Sequence, residues 1–396
     1  MKNSDFQKPY LVIPKLVEQP TWGGQYIVTQ KQWSQHSEML AKRIGQSYEL
    51  YSGTNLSLLT DSADPKFVGE LTDRDAVESQ TRPDNAVALS DLLAADTLSV
   101  LGQEHLDQRG DTFGLLIKLT EALGNSFQVH IKSDQQHPKW LPKPEAWYYF
   151  EPGLITLGVK PDADWDAYKQ SLQTIQDTMM NISRAMTAGN LTYAEAQTQV
   201  ADLLAQQDPW QYVNTVRVKA DDLVDLSCGG LHHSWEEDSA LAPKGNILYE
   251  LQSEALDKVS TFRAFDKGKI GPSGEVRDVH LDEYFEFIDR SPETNDPQSH
   301  LKAPERLAAT DAYTYDKLLD SPSFCLDKLS LSQSGATFTE RVNRYKHFYA
   351  QSGSFRIATQ HGSVTVTTAH SCFLPAKAET YTITSIADDT QILVSY

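Results

Sequence analysis

The chain has 396 residues, 40% of them hydrophobic, enough for a large core and for more than one domain. Its formal net charge of -19, with no Lys/Arg-rich block, argues against nucleic acid or an anionic membrane as partner. Three scattered cysteines (Cys228, Cys325 and Cys372) exclude a disulfide framework or a thiolate metal cluster. The opening MKNSDFQKPYLVIPKL is too briefly apolar for a signal peptide, and no run approaches membrane-spanning length, so the expectation is a cytoplasmic protein. An anionic substrate would need a locally basic pocket in so acidic a protein. Lys and Arg inside motifs therefore carry extra weight.

Residues 10–60 alternate short apolar runs with turns. Trp22-Gly23-Gly24 reads as a tight turn in which paired glycines permit positive φ, and 44–50 (IGQSYEL) as a strand entered from a glycine. Residues 62–88, rich in Asp, Pro, Thr and Arg, read as surface loop. A short capped helix begins near Ser90. The stretch 115–150 organises the chain, because LLIKL, Gln128-Val129-His130 and Glu145-Ala146-Trp147-Tyr148-Tyr149-Phe150 all read as strands. PGLITLGV continues the β pattern.

The character changes at 164–207. Trp165, Tyr168, Leu172, Ile175, Met179, Ile182 and Met186 recur at helical spacing, Gly189-Asn190 supplies a stop, and Thr192 to Glu195 forms a capping box opening a second helix. This predicts a helical hairpin inserted into a β-rich chain, its Met and aromatic stripe serving as packing. From Val213 the β character resumes through SCGGLHHSW, NILYELQS, TFRAFD and RDVHLDEYFEFID. A polar, Pro-containing segment near 300 leads to a tail alternating at period 2, which suggests a small sandwich or jelly roll. His361 and His370 in that tail have no carboxylate at ligand-like spacing. No repeat of 20 to 50 residues is present.

Gln128 and His130 are two apart on one strand and share a face, so a neighbouring Glu145 could reach the imidazole. One more imidazole would complete a nitrogen–oxygen set suited to zinc. The competing reading is a polar pair on a solvent-facing edge strand. Gly229-Gly230-Leu231-His232-His233 supplies further imidazoles on a Gly turn; adjacent residues face opposite ways, so only one of the two can join. Lys118 in LLIKL is either a snorkelling edge residue or a cation in a cleft. Arg263, between aromatics, either fixes an anionic oxygen or covers an aromatic surface. Glu250 is a candidate base or a core carboxylate paired with Arg263. GxGxxG after a strand, GxxxxGK[ST], HExxH and GxSxG are all absent, which disfavours nucleotide-dependent transfer and standard zinc proteolysis.

WGG, IGQSYEL, LLIKL, QVH, KPEAW, GGLHHS, ELQS, STFRAFD and RDVH follow one another in an order that resembles the type I mannose-6-phosphate isomerases, zinc-dependent enzymes of the cupin superfamily. The resemblance runs over about 20–160 and 225–290 and is weak over the tail. It implies a zinc ion held by Gln128, His130, Glu145 and His232; His232 is preferred to His233 because it lies three residues after Gly229. It further implies proton-relay work for Glu250, a cationic contact for Arg263 and a pocket position for Lys118. The departures are Ile131 where Pro is usual after QVH, Gln46 where a carboxylate is usual, extra residues between Glu250 and Arg263, and a longer helical hairpin.

The expected architecture is mainly β: two cupin-like jelly-roll domains, with 1–163 plus 209–300 as the catalytic one, 164–208 as the helical insertion and 301–396 as the smaller one. The expected activity is interconversion of mannose 6-phosphate and fructose 6-phosphate through an enediol, with a sugar phosphate as substrate and neither nucleic acid nor membrane as partner. The alternative is a cupin that binds a sugar or sugar phosphate without turnover or with altered specificity. The sequence is silent on oligomeric state.

Overall fold

Alternation at period 2 decides which side chains of a strand share a face, and it organises the part of the chain that carries the candidate site. The computed structural model describes residues 2–19, 22–73, 82–122, 125–234, 244–255 and 257–396. Contact density divides them into two units: Met1–Glu121, Ile247–Glu254 and Lys302–Tyr396 form the first, and Ala122–Asn246 with Ala255–Leu301 the second. This partition runs along other lines than the sequence segments 1–163 with 209–300, 164–208 and 301–396.

The second unit is built on a five-stranded antiparallel sheet in the order Val213–Val218, Gly153–Val159, His232–Ser234, Phe127–Val129, Phe262–Phe265. Phe127, Val129 and Ile131 alternate into a buried apolar cluster, joined by Leu231, Phe262 and Val159. The helix Trp165–Thr187 completes that cluster with Tyr168, Leu172, Ile175, Met179, Ile182 and Met186. Its N-terminus is capped by Asp164, whose side chain accepts from the amides of Asp166 and Ala167. Gly189 sits at φ +74°, and the second helix, Tyr193–Gln207, opens on the Thr192–Glu195 capping box. The hairpin is thus the lid of a sheet, and its apolar stripe is core, as the spacing implied. A separate strand pair in this unit joins Leu223–Asp225 to Glu145–Tyr149.

One segment departs from its sequence reading. Within RDVHLDEYFEFID, Leu281–Phe287 is a helix, burying Leu281, Tyr284 and Phe285. Those positions are three and four apart, a helical spacing that outweighs the β propensity of the aromatics.

In the first unit, Tyr10–Ile13, Asn55–Ser57 and Ala86–Ala88 extend a nine-stranded sheet whose other members come from the tail. A four-stranded sheet faces it, with the Phe338 ring 5.1 Å from Tyr315 and the Phe348 ring 5.1 Å from Tyr381. The tail is the sandwich expected from its alternation. The polar segment after 300 is more regular than expected, because Glu305–Ala309, Tyr313–Asp320 and Cys325–Leu331 are consecutive antiparallel strands. Lys15–Glu18, Ile44–Leu50 and Leu115–Ala122 pair in turn elsewhere in this unit. Residues 74–81, within the segment read as loop, lie outside the described residues; Glu70–Thr72 beside them is a short strand.

Trp22-Gly23-Gly24 is a turn, but its glycines are required for space and not for positive φ. A Cβ on Gly23 would lie 2.6 Å from the carbonyl oxygen of Arg43, and one on Gly24 would strike the Glu121 carboxylate. Among the described residues no helix is long and apolar enough to cross a membrane.

Truncation of Leu172, which is 1% exposed at the helix–sheet contact, should cost about 2–5 kcal/mol in urea unfolding. A loss below about 1 kcal/mol would show that the hairpin does not seal this core.

Candidate metal centre

The face of the five-stranded sheet away from the hairpin is polar by the same alternation that makes the other face apolar. Gln128 lies directly between His232 on one neighbouring strand and Arg263 on the other. Cross-strand partners share a face, so these three side chains form a row. His130 follows two residues after Gln128, at the end of the strand. The strand is interior and its residues are buried, which removes the reading of Gln128 and His130 as a solvent-facing edge pair.

Glu145 completes the cluster. Its Oε2 is 2.8 Å from Nε2 of His130 and 3.9 Å from Nε2 of His232. The remaining contacts fix which atoms point inward. His130 Nδ1 lies 2.8 Å from the carbonyl oxygen of Ser260, and His232 Nδ1 lies 3.2 Å from that of Gly230. A carbonyl only accepts, so each Nδ1 donates and each ring turns its Nε2 toward Glu145. Among the described residues His232 Nε2 has no hydrogen-bond partner although it is buried. The other carboxylate oxygen, Oε1, accepts from the indole nitrogen of Trp147 at 2.7 Å.

Two imidazole nitrogens and a carboxylate oxygen therefore converge within 4.8 Å of one another, all on buried residues. Two imidazole nitrogens gathered round one carboxylate oxygen, with His232 Nε2 buried and unpartnered among the described residues, are what a cation satisfies, and two nitrogens with one oxygen suit zinc. The outer contacts from Ser260, Gly230 and Trp147 are the orienting partners such a site needs. The donor set fits a divalent metal.

The electrostatics agree. Burial and the nearby Lys143 ammonium hold the His130 ring below its ordinary pKa. Burial above all depresses His232 to about 3. Burial opposes ionisation of Glu145, but the Lys143 ammonium, then the hydrogen bond to His130, outweigh it and hold the carboxyl well below its usual range. Both rings are thus neutral and the carboxylate ionised near neutrality, as metal ligation requires. Lys143, with its Nζ 3.3 Å from Glu145 Oε2, escaped the reading of the sequence as a site residue. The signal was the Lys-x-Glu spacing in KPEAW, which puts both side chains on one side of an extended segment.

His233 faces the other way, as adjacency on a strand demands. Its Nδ1 meets the Thr156 hydroxyl at 3.2 Å and its ring packs 5.0 Å from Phe127. Gly229, at φ +78°, makes the turn that delivers His232.

Lys118 and Glu250 belong to the first unit. Lys118 Nζ is 2.9 Å from Glu250 Oε1 and 2.6 Å from Gln252 Oε1, while the Thr120 hydroxyl donates to Glu250 Oε2 at 2.9 Å. Lys118 and Thr120 share one strand face and Glu250 and Gln252 another, so the four-residue cluster follows from two alternations. Lys118 is buried and paired, not a snorkelling edge residue, and Glu250 takes its ammonium partner from within its own unit.

No protein-family model and no curated protein sequence matches the chain. Solved structures do. The mannose 6-phosphate isomerase of Bacillus subtilis aligns over 98% of this chain and 100% of its own, with a TM-score of 0.63 and 16% identity. A zinc-bound mannose 6-phosphate isomerase aligns over 98% and 99%, with a TM-score of 0.62 and 12% identity. The Salmonella typhimurium enzyme bound to its substrate (f6p) and zinc covers the same shares at a TM-score of 0.61 and 12% identity. The fold is that of the mannose-6-phosphate isomerases, mainly β and cupin-like, over nearly the whole chain.

Two outcomes test this geometry. In metal-free protein the neutral buried His232 must take up a proton on unfolding below its unfolded pKa of about 6.5, so the unfolded state binds more protons and stability falls with acid. Urea unfolding should show a loss of about 1.4 kcal/mol per pH unit for each such histidine between about pH 6 and pH 4, and His232→Gln should flatten that slope. In zinc titrations, Trp147→Phe, which removes the donor to Glu145 Oε1, should weaken binding by about 10- to 100-fold, and His232→Ala by more. Unchanged zinc affinity in His232→Ala would remove the site.

Proposed function

We propose that the protein is a zinc-dependent aldose–ketose isomerase. Its particular reaction is then that of mannose-6-phosphate isomerase, the interconversion of mannose 6-phosphate and fructose 6-phosphate through an enediol. One observation carries the reading: the His130–Glu145–His232 cluster of ligand atoms lies within a fold shared along the chain with zinc-bound isomerases.

The ligands would be Nε2 of His130, Nε2 of His232 and Oε2 of Glu145, with Gln128 as the fourth residue. Zinc there supplies a Lewis acid that polarises sugar oxygens and stabilises negative charge developing during proton transfer. The chain's own residues do the rest. Ser260 and Gly230 hold the two rings in the tautomer that presents Nε2. Lys143 adds positive charge next to the carboxylate, and Arg263 offers a fork of donors on the row that contains Gln128 and His232. In this reading Glu250 takes the proton from one carbon and returns it to the neighbouring one. Lys118 and Thr120 position its two oxygens and share its proton. The working compartment is the cytoplasm, the setting is carbohydrate metabolism, and the substrate is a sugar phosphate, with neither nucleic acid nor membrane as partner.

Purified protein should convert fructose 6-phosphate to mannose 6-phosphate, lose turnover to a chelator, and regain it with zinc. Glu250→Gln should lower kcat by about 100-fold or more while zinc content is kept. Zinc-loaded protein that turns over neither hexose phosphate would defeat the proposal. If calorimetry then showed tight sugar binding, the chain would instead be a non-catalytic sugar-binding cupin.

A further inference from the structure

Cys228 begins the loop that delivers His232, yet nothing in the metal chemistry uses it. It is half-buried, whereas Cys325 and Cys372 are buried. Its Sγ is 3.5 Å from Nδ1 and 3.9 Å from Nε2 of His300. That ring is buried with both nitrogens engaged: Nδ1 lies 3.0 Å from the carbonyl oxygen of Asp225, and Nε2 lies 2.7 Å from that of Thr294. Each carbonyl only accepts, so each ring nitrogen has to donate. Neutral imidazole has one N–H and the cation has two. The two carbonyls therefore select the charged ring.

Burial works against that charge, but the hydrogen bond and charge of Cys228, with the two carbonyls, outweigh it, and His300 is pushed up to about 9. The ring is also held mechanically. A Cβ on Gly230 would lie 3.0 Å from Thr294 Cγ2 and 3.4 Å from His300 Cε1, so the loop packs closely on the imidazole. The sulfur faces a cation that cannot swing away. A partly exposed sulfur held beside a fixed cation is the setting in which cysteines attack electrophiles.

We propose that Cys228 is a modification site, a nucleophilic thiol activated by the fixed His300 imidazolium and open to peroxides and other soft electrophiles. With hydrogen peroxide, the thiolate sulfur attacks one peroxide oxygen; an S–O bond forms as the O–O bond breaks. Sulfur is oxidised to the sulfenic acid, and the departing hydroxide, the reduced half of the peroxide, takes a proton from water. With iodoacetamide the same sulfur displaces iodide from carbon. Neither reaction depends on the metal reading.

Limited iodoacetamide labelling of the folded full-length protein, read by peptide mass spectrometry, tests the site. Cys228 should label at least about tenfold faster than Cys325 and Cys372, and peroxide should produce a dimedone-trapped adduct at Cys228 alone. His300→Gln should slow Cys228 by about tenfold and leave the other two cysteines unchanged. Independently of that variant, NMR of the labelled wild-type ring at about pH 7.5 should show both nitrogens protonated, and Cys228→Ser should lower the midpoint of that titration. A neutral His300 ring in the wild-type protein would overturn the proposal. So would labelling of Cys228 no faster than the buried cysteines, or at a rate indifferent to His300→Gln.

Discussion

The buried carboxylate of Glu145 is the constraint on which the candidate site depends. An ionised carboxylate with almost no access to water is costly unless every lone pair is engaged. Here Trp147 takes one oxygen, while His130, His232 and Lys143 surround the other. The charge is thereby tolerated and its direction fixed. Because Ser260 and Gly230 occupy the outer nitrogens of the two rings, the inner nitrogens have only the carboxylate to face. The result is an electron-rich focus suited to a cation.

The sheet makes that focus possible by separating two environments across one layer of backbone. Phe127, Val129 and Ile131 supply the helix-covered core, and Gln128 and His130 the opposite face. A slip of one residue in this strand would exchange the two sets, so the apolar packing under the hairpin also holds the polar row in register. Ile131 shows the economy of the arrangement. Its side chain joins the buried cluster, which anchors the residue beside His130 by packing.

Buried charge is handled in the same manner in the first unit. Lys31 and Glu49 are fully inaccessible and paired at 2.7 Å, with the Ala369 carbonyl, Ser47 and Ser371 satisfying the remaining valences. The Lys118–Glu250 pair is likewise closed by Gln252 and Thr120. Removing one member of such a pair strands the other, so these clusters specify geometry more than they add stability. The Cys228–His300 pair differs because its sulfur is partly open to solvent, which makes it chemically available.

Local regularities were legible in the sequence because they depend on neighbours in the chain. The hairpin of 165–207 with its capping box, the strands through QVH and EAWYY, the opposed directions of His232 and His233, and the alternation of the tail all follow from periodicity and cap chemistry. The ordered motifs also brought Gln128, His130, Glu145 and His232 forward as one set. Other features arise only between distant segments. The closure of Glu250 by Lys118, the tight packing around Gly23 and Gly24, and the two carbonyls that charge His300 are of this kind. A residue's spacing determines which way it points. What it meets there is set by how strands far apart in sequence come into register, and that was decided by the tertiary structure alone.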